Sequence, residues 1–130
     1  MIEDYIKKTR DLLSKSKKIK YAFIFGSFLK RPLKNSDIDI LLGADLNPFE
    51  QIDLAMELEL ILKRKIDLVQ VKDASCELVL KAFSKGLPVL LNDKQSLKRD
   101  YFRNSCLYED RTTLRKLRIS RIKRKYSYAG

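Results

Sequence analysis

Histidine and tryptophan are missing from the 130-residue sequence, and cysteine, proline and glycine are scarce, at two, three and four copies. Without histidine, serine–histidine and cysteine–histidine catalysis of the common kinds is excluded. Cys76 and Cys106 lie far apart in sequence with no histidine to join them, so neither a Cys/His zinc site nor a disulfide framework is suggested, and reduced thiols are the simpler reading. Any chemistry must run on carboxylates, lysines, hydroxyls or a bound metal. Long apolar runs are also lacking: Leu87 to Leu91 is among the longest, far short of the roughly 18 residues that suggest a membrane span. Met1-Ile2-Glu3-Asp4-Tyr5 carries acids where an export signal begins with basic residues. The expectation is a soluble, cytoplasmic protein with no membrane partner.

What is present is a globular composition, 45% hydrophobic and 35% charged, in a chain of single-domain size with no evident internal repeat. The net charge of +11 is uneven. Residues 1–110 hold 20 Lys/Arg against all 17 Asp/Glu, whereas residues 111–130 hold eight Lys/Arg and no acid. Basic character is thus mainly a property of the tail, whose run from Arg111 to Lys125 suits a solvated helix end, an acidic protein surface or RNA.

Ile2, Tyr5, Ile6, Thr9, Leu12 and Leu13 recur at helical spacing, predicting an amphipathic helix over 2–17. Tyr21 to Phe25 is a short β-branched and aromatic run stopped by Gly26, as expected of a buried strand. Asp37 to Leu42 reads as a second strand that Gly43 terminates. Asn47-Pro48-Phe49-Glu50 is a helix start, with a cap, a proline at the first position and an acid able to reach back. That helix runs to about Lys65. A third strand follows over Ile66 to Val71, then a helix over 75–85 closed by Gly86, a strand from Pro88 to Leu91 and a long helix from Lys94. The order predicts an α/β (α+β) fold, a small mixed sheet with flanking helices.

Residues two apart on a strand share a face, so Asp37 and Asp39 project together while Ile38 and Ile40 point the other way. Two such carboxylates also suit the solvated face of an edge strand. At close range, however, they raise each other's proton affinity unless a cation lies between them, and oxygen-only ligands suit Mg²⁺ or Mn²⁺. Gly26 lets backbone approach a ligand, the turn after it offers N–H groups to an anion, and Ser27, Lys30 and Arg31 add a hydroxyl and two positive charges. Together these are candidates for a phosphate cradle facing a metal-binding strand.

The Gly-Ser pair, nine intervening residues and Asp-x-Asp, framed by Phe23-Ile24-Phe25 and Ile40-Leu41-Leu42, resembles the signature of the DNA polymerase β-type nucleotidyltransferases. Phe25-Gly26-Ser27 through Ser36-Asp37-Ile38-Asp39-Ile40-Leu41 looks like the minimal nucleotidyltransferases (MNT), small proteins commonly paired with HEPN-domain toxins as toxin–antitoxin systems. The match is strongest over residues 22–42 and follows in element order to about 92. The resemblance implies a third carboxylate on a later strand, where Asp67 fits, and a site in which Asp37, Asp39 and Asp67 hold two Mg²⁺ ions. It also implies transfer of AMP from ATP to a hydroxyl of the HEPN toxin, typically a tyrosine, which blocks the toxin's ribonuclease site. Residues 1–92 would be the nucleotidyltransferase domain, and 93–130 a helix and basic tail packed on it or on a partner. The alternatives are an antitoxin that acts by contact alone, or RNA binding through the basic tail.

Overall fold

The computed structural model describes residues 2–26 and 37–127, with side chains through residue 121. Helix α1 (Ile2–Leu13) leads into β1 (Ile19–Phe25) and, beyond the undescribed segment, β2 (Ile38–Ala44). There follow α2 (Pro48–Leu62), β3 (Ile66–Gln70), a 3₁₀ turn (Val71–Asp73), α3 (Cys76–Lys85), β4 (Leu87–Leu91) and α4 (Lys94–Ser127). The four strands form one mixed sheet in the order β3-β2-β1-β4, with β1 antiparallel to both neighbours and β2 parallel to β3.

Period-2 alternation sorts the side chains into two cores. Ala22, Ile24, Ile38, Ile40, Leu42, Ile66 and Leu68 face α1 and α2, where Leu12, Leu13, Leu58 and Leu62 cover them. Tyr21, Phe23 and Leu41 face α3 and α4, against Val79, Ala82, Phe83 and Leu97. Ile38 and Ile40 are therefore on the opposite face from Asp37 and Asp39, as the alternation requires.

Several predicted boundaries move for identifiable reasons. Helix α1 ends at Leu13 rather than 17, because the hydroxyl of Ser14 donates to the Arg10 carbonyl and the next N–H groups tighten onto Leu12 and Leu13. Helix α2 begins with the expected capping box, in which Asn47 accepts from the Glu50 N–H and Glu50 accepts from the Asn47 N–H. It stops at Leu62 because Lys63 adopts the left-handed conformation, φ 54°, and donates its N–H to the Glu59 carbonyl. Gly43 lies inside β2 rather than at its exit. The Tyr21 ring on the paired strand occupies the space a Cβ would take there. Gly86 does close α3, but with an extended φ of −82°; the Ala82 and Ile24 carbonyls leave no room for a side chain.

Two buried polar contacts position the remaining elements. The Tyr21 hydroxyl donates to the Asp100 carboxylate at 2.5 Å, tying α4 to the sheet centre. Burial first, and then this bond, push the Tyr21 hydroxyl far above its ordinary value, so it remains a donor. Gln70 accepts from the Leu46 N–H at 2.8 Å and donates to the Leu46 carbonyl at 3.0 Å and to Gln51 Oε1 at 2.8 Å. Gln51 in turn donates to the Leu68 carbonyl at 2.7 Å. This network locks the end of β2, the first turns of α2 and β3 into one register.

Replacing Gln70 with leucine strands the Leu46 N–H in the interior, whereas the Leu46 carbonyl keeps its bond from the Lys72 ammonium at 3.0 Å. Gln70→Leu should lower unfolding stability by about 2–3 kcal/mol in urea denaturation, against about 1 kcal/mol for the exposed cap variant Asn47→Ala.

Candidate functional site

The site predicted from sequence lies where β1 ends and β2 and β3 begin. In the antiparallel pair Phe25 faces Asp39, and in the parallel pair Asp39 faces Asp67, so three neighbouring strands present consecutive positions along one line. Adjacent strands lie roughly 4.8 Å apart, which brings the two carboxylates within direct electrostatic reach. Asp39 is half-buried, and Asp37 and Asp67 are exposed. All three occupy the face that carries Leu41 and Val69, two and four residues further along their strands.

Gly26 continues directly from β1 with φ +88°. A Cβ at this position would strike the Asp39 carboxylate. Glycine is therefore required twice, once by its backbone conformation and once by the close approach of the acid. Burial, then Asp67 and then Asp37 push the Asp39 carboxyl above its ordinary value. The crowding of negative charge inferred from the sequence is thus present in the folded chain, with Asp39 at its centre.

Among the described residues, no three histidine, cysteine, aspartate or glutamate side chains converge as a ready-made metal site. The donor chemistry still fits a hard divalent cation, because only carboxylate oxygens are offered and two of them raise the proton affinity of the third. Asp67 also lines a cleft of about 840 Å³ between β3 and α2, together with Ile52, Ala55, Ile66 and Leu68. That cleft does not reach Gly26, Asp37 or Asp39. Ser27, Lys30 and Arg31, the predicted phosphate contacts, lie outside the described residues.

Sequence reasoning did not find the contact between Gly26 and Asp39, nor the Gln70 network that holds β3 beside β2. The signal for the latter was a glutamine at an inward position after Ile66 and Leu68.

The sequence model of the family described as polymerase beta, nucleotidyltransferase matches residues 7–95, the span that contains all four strands. The chain belongs to this nucleotidyltransferase family. Comparison with curated protein sequences returns no match. Among solved structures, the toxin–antitoxin complex MntA–HepT matches with TM-score 0.72 and 24% identity, over 92% of this chain and 97% of that one. A toxin–antitoxin structure with AMP-PNP matches with TM-score 0.72 and 25% identity, over 94% and 98%. A tri-AMPylated Shewanella oneidensis HEPN toxin in complex with MNT antitoxin matches with TM-score 0.74 and 24% identity, again over 94% and 98%. The polymerase β-like nucleotidyltransferase fold expected from the motif is therefore the fold observed, including its long C-terminal helix. No helix among the described residues is long and apolar enough to cross a membrane.

Gly26→Ala forces a side chain into the positive-φ region and against Asp39, and should cost about 1–3 kcal/mol in denaturant unfolding. Asp39 binds its proton more tightly in the folded chain, so its favourable contribution is complete below the unfolded value of 3.8 and is lost as pH rises through the folded one. In metal-free buffer Asp39→Asn should therefore melt at a higher temperature than wild type at neutral pH, and the gain should fade as the pH approaches 3.8.

Proposed function

We propose that the chain is a Mg²⁺-dependent nucleotidyltransferase that moves AMP from ATP to a hydroxyl, in the first instance a tyrosine, of a HEPN-domain toxin, and so acts as the antitoxin of the pair. The observation that carries this reading is that Asp39 lies against the Gly26 backbone and opposite Asp67 at three neighbouring strand ends in a chain of this family. Its support from relatives is that one solved toxin–antitoxin complex contains AMP-PNP and another contains a tri-AMPylated HEPN toxin.

Asp37, Asp39 and Asp67 would hold the divalent ions, two in the full site. Bound there, the metal supplies charge neutralisation for the triphosphate and a lowered pKa for the attacking hydroxyl. The rest of the mechanism belongs to the chain. Gly26, bare of side chain, lets the Asp39 carboxylate lie directly against the backbone. Ser27, Lys30 and Arg31 are assigned to the phosphates on the sequence motif alone. Asp67, exposed and open to the cleft, orients the acceptor hydroxyl and takes up its proton. The hydroxyl oxygen bonds to the α-phosphorus as the bond to the bridging oxygen breaks, and pyrophosphate leaves in line. Residues 1–92 form the transfer unit in this reading and 93–130 the appended helix and tail. The acceptor comes from outside the chain, in the cytoplasm where ATP is available.

Mixing the chain with a HEPN-type protein encoded beside it, α-labelled ATP and Mg²⁺ should label the partner. Asp37→Ala combined with Asp39→Ala should abolish the label while the variant still melts cooperatively, and undiminished labelling would refute the site. Mg²⁺ should raise the melting temperature of wild type and leave that of the double variant unchanged. Loss of label with retained neutralisation would identify an antitoxin that works by contact.

A further inference from the structure

At the opposite end of the sheet the chain forms a second concavity of about 900 Å³, and its charge is of the other sign. Five cations line it, drawn from three separate parts of the fold: Lys18 and Lys20 around the start of β1, Lys72 in the 3₁₀ turn, and Arg99 and Arg103 on α4. Its acids are Asp45 and Asp100. Six residues of β2 and its exit separate Asp39 from Asp45, about 20 Å of extended chain, so this concavity is distinct from the carboxylate site.

The acids present are already engaged. Lys72 donates to Asp45 at 2.7 Å, Lys18 to Glu50 at 2.7 Å, and Asp100 accepts from the buried Tyr21 hydroxyl. Among the described residues, Lys20, Arg99 and Arg103 are in no ion pair; Arg99 donates only to the Ser96 hydroxyl, at 3.3 Å. Arg99 and Arg103 stand one turn apart on α4, where like charges repel unless an anion lies between them. All five basic side chains belong to exposed residues, so their heads are available to a ligand.

The size of the concavity alone would suit a free nucleotide. The helix that forms one wall favours something longer. From Arg103 to Arg121 is 18 residues of α4, five turns and about 27 Å, which returns Arg121 to the same side of the helix, with Arg118 beside it; Leu107, Asp110, Leu114 and Leu117 lie between them on that side, so the cations there stand in two groups. Tyr101 and Phe102 lie between Arg99 and Arg103 in sequence but do not line the concavity, and no groove-reading motif accompanies these cations, so what they offer is recognition of phosphates without regard to base sequence.

We propose that this concavity and the adjoining side of α4 bind the phosphodiester backbone of a nucleic-acid strand, anchored by Lys20, Arg99 and Arg103. The site is independent of nucleotidyl transfer and can be tested on the full chain without a partner. Fluorescence anisotropy would follow labelled RNA and DNA strands of about 20 nucleotides and mixed sequence, longer than common single-strand site sizes, from about 50 to about 200 mM KCl. Wild type should bind with a steep salt dependence. Lys20→Gln with Arg99→Gln and Arg103→Gln should weaken binding at least about tenfold and flatten the logarithmic salt slope by about 2, the value for three lost single-strand phosphate contacts. Lys7→Gln with Lys15→Gln and Lys81→Gln removes the same charge elsewhere and should leave affinity within about twofold, while Arg99→Lys with Arg103→Lys should retain the salt slope. Preferential binding of RNA or of DNA would identify the source of the backbone. Absence of binding to both strands, equal losses in the two triple variants, or binding of free ATP where both strands fail would overturn the proposal.

Discussion

A carboxylate held half-buried beside two others is unfavourable, and one end of this sheet is organised around that one fact. Asp39 sits on a central strand, with Phe25 opposite on one side and Asp67 on the other, and its proton affinity rises because burial and its acidic neighbours all act in the same direction. An apolar packing solution is blocked, since the space next to the carboxylate belongs to the bare backbone of Gly26. Chain and carboxylate approach so closely that no side chain fits between them. The parallel register of β2 and β3, held by buried Gln70, prevents relief by slippage, because a shift of one residue would turn Asp67 into the core facing α1 and α2. Among the described residues no cation pairs with Asp39, so its charge is relieved by a proton or by a positive charge from outside them.

Much of this was legible in the chain itself. Alternation placed Asp37 and Asp39 on one face, and the Asn47-Pro48-Phe49-Glu50 start of α2 is realised bond for bond. The features that escaped have a common physical origin in contacts between distant segments. Gly43 reads as a strand terminator until the Tyr21 ring is seen lying over it, and Gly86 reads as a helix stop with no sign of the two carbonyls that occupy its Cβ position. Lys63 carries no mark of its left-handed conformation, which glycine would have announced. The motif residues Ser27, Lys30 and Arg31 fall outside the described residues, so for them the sequence remains the source of the assignment.

Charge distribution was the least legible property. Counted along the chain, positive excess belongs to the last 20 residues, and residues 1–110 are nearly balanced. Folding separates that balanced portion into two poles. Three aspartates gather where β2 and β3 begin, while lysines and arginines distant in sequence gather where those strands end. The resulting dipolar arrangement along the sheet cannot be obtained by summing charges over a window, since Lys20 and Arg103 are 83 positions apart.

The position of β3 in the sheet carries a consequence for what can reach it. As the outermost strand it has β2 on one flank and, among the described residues, no further strand on the other, so exposed Asp67 stands at a border of the sheet. A folded macromolecule can slide up sideways and offer a single protruding hydroxyl without unravelling any of its own structure. An open border of this kind lets whatever docks there supply the outer wall of the cleft that Asp67 lines.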